Sequence, residues 1–295
     1  MSTATTTTTT TTTQVPAPRV VLKTMSEEDA VAMEGMAHQG RALPGIPMFA
    51  THAETRRWML EHMAAAFRVF AREGYAEGIS GHISVRDPEF PDRFWINSLG
   101  VHFAMMRASD MICVSHETGE ILAGNVQGSI NSAGYQIHSA VHRARPDVHS
   151  ICHTHSAHGR AYSSAGKPLE MINQDVCYLY NAHTVYDQYG GIANEADEGK
   201  RIAEALGPKN KACILLNHGL LTVGHTVDEA AFLFVLMERC CRIQMLADAS
   251  GNPKRLVSDE DAAYNFRMAS TPECLYTEFQ PHYKYEEFLS SDFKN

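Results

Sequence analysis

The feature that most constrains this chain is His153-Thr154-His155, which closes the apolar run Ser150-Ile151-Cys152. A second histidine segment, Asn217-His218-Gly219, closes the run Ala212-Cys213-Ile214-Leu215-Leu216. Both runs read as buried strands. Successive strand side chains leave opposite faces, so His153 and His155 share one face. His218, arriving from another strand, can then close on the same ion. Three imidazoles with an open position form the catalytic rather than the structural pattern for a divalent metal. Spacing by itself does not decide the matter: with 16 histidines in 295 residues, roughly one His-x-His arises from composition alone. The surroundings must decide.

A hydrophobic fraction of 44% and a charged fraction of 20% fit a globular chain with ample core. The net charge of -9, with no cluster of Lys and Arg to offset it, argues against a nucleic-acid partner. No apolar run approaches the roughly 18 residues needed to span a bilayer, so no membrane partner is expected. The N-terminus lacks a basic segment followed by an apolar one, so no secretory signal is expected. Seven cysteines, an odd number set in apolar segments, read as reduced core residues of a cytoplasmic protein. Cys152 is expected in the core, and the adjacent Cys240 and Cys241 are not expected to pair with each other.

Residues 1–18 are a low-complexity, Thr-dominated stretch that cannot bury apolar surface, and a disordered tail is expected over 1–24. The main domain is expected over 25–250, with a boundary at the turn cluster Ser250-Gly251-Asn252-Pro253. A C-terminal extension is expected over 251–295, and its end, 276–295, which mixes aromatics and acids, is expected to be loosely packed unless it lies across a neighbour or a cleft. Helical periodicity covers 53–73, with Trp58, Met59, Met63, Phe67 and Phe70 on the apolar side. Further helices are expected at 132–144, 195–206 and 227–249, the last opened by Thr226 and Glu229 as a capping box. Strands are expected at 82–86, 94–98, 111–115, 120–123, 150–155, 169–174, 212–217 and 220–223. Strands and helices mixed without a regular βαβ alternation predict a layered α/β domain around one sheet.

The order of motifs carries more information than any one of them. Gly81-x-x-Ser84-x-Arg86, then Arg145-Pro146-Asp147, then His153-x-His155, then Asn217-His218-Gly219-Leu220 resembles the class II aldolase/adducin superfamily over roughly residues 52–250. The resemblance implies a three-layer α-β-α fold with a central mixed or antiparallel sheet. It also implies that His153, His155 and His218 bind one divalent metal per chain, with zinc first and iron(II) or manganese as alternatives. A small-molecule substrate and a cyclic homotetramer with sites between subunits follow from the same resemblance.

The chain departs from that family where sugar-phosphate aldolases carry a catalytic Glu on the helix before the metal strand. The corresponding position is Gly134. The family's phosphate-binding positions correspond to Gly81-His82, Leu99-Gly100 and Ser132-Ala133, with Leu and Ala where donors are needed. Buried phosphate oxygens need hydrogen-bond donors, so a small unphosphorylated carbonyl compound or carboxylate fits better. Gly81, His82, Gly100 and Ser132 remain the substrate-binding candidates. Replacements for the lost Glu are His138, one helical turn beyond Gly134, together with Asp175, Tyr178 and His183 from the segment after 169–174. Arg86 reads as a loop anchor, and His142 and His149 read as surface residues.

The leading expectation is a metal-dependent carbon–carbon lyase, an aldolase or decarboxylase, in which the ion stabilises the enolate formed as the bond breaks. A non-haem iron(II) oxygenase on the same scaffold is the alternative, because Fe(II) accepts imidazole ligands and needs open positions. A non-catalytic module like the adducin head is the third reading. Retention of all three histidines argues against it.

Overall fold

Short apolar runs, buried on both faces of one sheet, build the centre of the molecule. The computed structural model describes residues 20–21, 25–37, 43–191 and 196–295. The tail expected over 1–24 lies outside the described residues except for 20–21. In chain order the elements are β1 (Val20–Val21), α1 (Glu27–Gly35), β2 (Met48–Phe49), α2 (His52–Arg72), β3 (His82–Arg86), β4 (Arg93–Asn97), β5 (Met111–Ser115) and β6 (Ile121–Gly124). There follow α3 (Ser132–Ala144), β7 (Ser150–Thr154), α4 (Ala157–Ser163), β8 (His183–Tyr186), α5 (Ala196–Leu206), β9 (Ala212–Leu215), β10 (Gly219–Gly224), α6 (Val227–Ala249), α7 (Asp259–Ala269) and α8 (Pro272–Leu289).

The main sheet has eight strands in the order β6-β5-β4-β3-β7-β10-β9-β8. Every pairing in it is antiparallel except the parallel contact of β8 with β9. One face presents Ile83, Val85, Trp95, Cys113, Cys152, Ile214 and Leu220 to a core shared with α2 and α6. The opposite face presents Ile151, Cys213, Leu215, Leu221 and Val223 to the buried sides of α3 and α5. Two helical layers on one sheet give the expected α/β layered fold.

Local chemistry accounts for the helix starts. Thr51 caps α2 in a reciprocal box with Glu54, satisfying two otherwise orphaned N–H groups. Thr226 caps α6 by accepting from Glu229 N–H, but the Glu229 carboxylate turns to the His225 N–H and to Lys211. The helices expected at 53–73, 132–144 and 227–249 lie within a residue of those observed.

Three expectations are corrected. The segment 169–174 is not a strand. Two of its N–H groups are taken by side chains, Leu169 N–H donating to His183 Nε2 and Glu170 N–H to Gln244 Oε1, and the strand beside β9 is β8 instead. His142 is buried, not a surface residue. The C-terminal segment is not loose: α8 packs on α2 and α6, with Leu275 and Phe279 fully buried and Phe293 behind them. Glu286, held by Arg72 at 2.5 Å, is among its buried side chains, and such paired charges mask the apolar periodicity that marks a packed helix.

Truncating Phe279→Ala is expected to destabilise the protein by about 3–5 kcal/mol, read as a lower urea midpoint. An unchanged midpoint would mean that α8 is not part of the cooperative unit.

Candidate metal centre

The site grows from β7, which lies between β3 and β10. Cα pairing places His153 opposite His82 on one side and opposite Leu221 on the other. His153 shares its face with Ile151, so it points toward the α3 side of the sheet. Its Nδ1 lies 2.8 Å from the Leu220 carbonyl oxygen. A carbonyl only accepts, so Nδ1 donates, and Nε2 is left with a free lone pair. His155 follows the last residue of β7. His218 is delivered by the β9–β10 turn, where Asn217 has φ 55°, a left-handed conformation that Asn tolerates better than most residues. This turn is why the strand expected over 212–217 ends at Leu215: His218 N–H bonds back to the Leu215 carbonyl at 3.0 Å.

The three imidazoles offer ligand atoms that all lie within 4.8 Å of one another. Nε2 of His155 and Nε2 of His218 are 3.1 Å apart. Tetrahedral coordination with Zn–N bonds of about 2.0–2.1 Å separates two ligand nitrogens by about 3.3 Å, so the donor set fits a divalent ion. Burial holds all three rings below the usual imidazole range, with His218 lowered to about 4, and their mutual repulsion adds to the effect on His153 and His218. Neutral imidazole is the form that ligates.

The histidines open into a cleft of about 480 Å³ lined by Gly81, His82, Leu99, Ser132 and Ala133 among others. Gly81 adopts φ 95°, and a Cβ there would stand 3.0 Å from Phe103 and 3.2 Å from Thr154, so the turn into β3 requires glycine. None of the described lining residues is Asp or Glu.

His82 occupies the space that the Gly134 side chain would need. A Cβ on Gly134 would approach the His82 ring to 2.6 Å. Behind His82 runs a buried polar chain: Nδ1 lies 3.0 Å from His138 Nε2, His138 Nδ1 lies 2.6 Å from Ser84 Oγ, and Ser84 Oγ lies 2.8 Å from His142 Nε2. Gly134, His138 and His142 recur at i, i+4, i+8 on α3, facing His82 and Ser84 at i, i+2 on β3, so the helical and strand periods interlock. Burial pushes His82, His138 and His142 well below the usual imidazole range. Arg86 does anchor its surroundings, donating to the carbonyls of Pro91, His142, Arg145 and Val148.

Of the substrate-binding candidates, Gly81, His82 and Ser132 line the cleft; Leu99 lines it in place of Gly100. Of the proposed acid–base residues, His138 is fully buried behind His82. Asp175 is the exposed first residue of a 3-10 turn that is otherwise largely buried, the Tyr178 hydroxyl donates to Glu278 on α8, and His183 is held between Leu179 and Leu169. None of these last three lines the cleft. Sequence reading missed Arg160, Asn131, Ile137 and Tyr189 in its wall. Arg160 carried a signal, lying five residues after His155 in the helix that leaves the metal strand; Tyr189 sits in a loop and carried none.

Residues 61–245 match the family profile described as Class II Aldolase and Adducin N-terminal domain. The chain is 44% identical over 250 residues to the meiotically up-regulated gene 14 protein of Schizosaccharomyces pombe, covering 84% of this chain and 96% of that one. It is 41% identical over 214 residues to decarboxylase NovR of Streptomyces niveus, covering 72% of this chain and 78% of the relative. Over 214 residues it is also 41% identical to 4-hydroxy-3-prenylphenylpyruvate oxygenase/4-hydroxy-3-prenylbenzoate synthase of Streptomyces roseochromogenus subsp. oscitans, covering 72% and 76%. A solved structure, L-fuculose 1-phosphate aldolase from Glaciozyma antarctica PI12, superimposes with a TM-score of 0.77 at 39% identity, covering 85% of this chain and 97% of that one.

Metal-free protein is expected to lose stability as pH falls from about 6.5, where an unfolded histidine begins to protonate, to about 4, where His218 protonates in the fold. The unfolded chain binds more protons across that window, so the sign is destabilising on acidification, on the order of 3 kcal/mol for this residue. Thermal unfolding of the wild type and His218→Ala across the window checks it; parallel pH profiles would refute the assignment.

Proposed function

The chain belongs to the class II aldolase/adducin family, and on that footing we propose that it is a divalent-metal-dependent enzyme that breaks a carbon–carbon bond beside a carbonyl group in a small unphosphorylated substrate. The observation that carries the reading is the convergence of His153, His155 and His218 on one point in the wall of the cleft. The bound ion, zinc on this reading, would polarise the substrate carbonyl and stabilise negative charge developing on its oxygen. As the bond breaks, its electron pair moves toward that oxygen, and the carbon left behind takes up a proton.

His82 is the group in position to handle that proton. It lines the cleft through the ring that fills the Gly134 space, and its Nδ1 is already engaged by His138, which leaves Nε2 for the cleft. His138, Ser84 and His142 then hold the His82 ring in one orientation and can shift hydrogens along their chain. On this reading His138 is a positioning residue, while Asp175, Tyr178 and His183 serve the fold around α6 and α8. A homo-oligomeric assembly, expected as a tetramer, belongs to the same reading.

A second reading, a non-haem iron(II) oxygenase, is favoured by one feature of the cleft: no carboxylate lines it among the described residues, and oxygen chemistry depends less on a strong acid–base group. The 41% identical Streptomyces relative named as an oxygenase supports it. In either case one metal ion per chain is expected.

Elemental analysis of protein purified without chelators is expected to give about one divalent ion per chain, reduced to background in His153→Ala. Full metal content in that variant would remove the proposal. Turnover that continues unchanged under strict anaerobiosis selects the lyase; turnover that stops selects the oxygenase. Gly134→Ala is expected to keep its metal but lose activity by about tenfold or more, because the new Cβ displaces His82. Wild-type turnover in Gly134→Ala would show that His82 takes no part.

A further inference from the structure

The cleft beside the three histidines contains one full charge among its described lining residues, and it is positive. Arg160 lies in α4, within the first turn and a half after the metal strand, and reaches the same cleft as His153, His155 and His218. Its guanidinium is paired with Glu77, Nη2 to Oε2 at 3.2 Å, with the two side chains 46% and 57% exposed. An exposed pair of this kind is worth about 0–1 kcal/mol, so another carboxylate can replace Glu77 at little cost. Glu77 itself does not line the cleft.

The remaining wall sets the shape of what this cation would hold. Ile79, Leu99, Ala133 and Ile137 make part of the wall apolar, and Tyr189 adds an exposed aromatic ring. Apart from the Tyr189 phenol, the hydroxyl and amide donors are those of Ser80, Ser132, Asn131 and Asn217. A phosphate would need several converging donors, whereas a planar guanidinium matches a single carboxylate in bidentate fashion.

We propose that Arg160 is the specificity-determining residue of the cleft and that it grips the carboxylate of an aryl oxo-acid. The carbonyl oxygen of that acid faces the three histidines, and its ring lies along the wall formed by Ile79, Leu99 and Ile137. The proposal rests on the three-histidine metal reading and adds to it the charge and class of the substrate. Glu77 then acts as a place-holder that occupies Arg160 until the acid arrives.

Calorimetric titration of zinc-loaded protein with benzoylformate, with its uncharged methyl ester and with inorganic phosphate tests this, with zinc content measured on each sample. Benzoylformate is expected to bind, and Arg160→Gln to weaken it by about tenfold or more while leaving the ester unchanged. Arg160→Lys should recover part of the loss, because it restores the charge without the fork. Glu77→Gln, which frees Arg160, should tighten the acid alone. Equal affinity in wild type and Arg160→Gln, or equal weakening of acid and ester, would overturn the proposal. So would phosphate binding that depends on Arg160 without benzoylformate binding, which would make the site a phosphate site. A wild type that holds zinc but binds no benzoylformate overturns the oxo-acid assignment and leaves the metal reading standing. A wild type that takes up no zinc, iron or manganese removes both.

Discussion

The site depends on the position of β7 in the middle of the sheet. Paired on both edges, to β3 and to β10, it has no freedom to slip, because a one-residue shift would turn its whole side-chain set to the other face. That register places His153 against His82 and brings the Leu220 carbonyl to its Nδ1. One main-chain acceptor thus fixes both the ring and its tautomer. The β9–β10 turn then needs only a left-handed Asn217 to swing His218 into range of His155.

Around this centre the molecule keeps polar groups buried by giving them partners. The four-member chain His82–His138–Ser84–His142 crosses the interface between β3 and α3 with hydrogen bonds of 2.6–3.0 Å. An unpaired imidazole at that depth would cost on the order of 1–3 kcal/mol. Arg86 is a second example, a buried guanidinium spent on four carbonyls. The exchange at Gly134 belongs to the same economy of space: the ring from β3 and a side chain from α3 cannot both occupy that volume.

Much of the scaffold was legible because its elements carry clean periods. The α2 helix shows its apolar stripe and its Thr51 cap, and β9 shows an unbroken apolar run. Reading failed where burial is achieved by pairing. In α8, the buried Glu273 and Glu286 and the internal Pro281 conceal a packed helix. At 169–174 an apolar composition suggested a strand, yet side chains of His183 and Gln244 took two of the N–H groups that a ladder would need. His142 looked like a surface residue because a polar partner on another element, Ser84, is invisible to a linear reading.

The sequence by itself determined the metal-ligand candidates, the family to which their order points and the absence of the expected Glu at position 134. Those are properties of residue type and spacing. Only the tertiary structure decided that Gly134 is vacant because His82 fills its place, that Asp175, Tyr178 and His183 stand away from the cleft, and that Arg160 faces it. The physical reason is that each of these depends on which side of a sheet, or which turn of a helix, meets a residue far away in the chain. Packing sets that relation, and no local pattern records it.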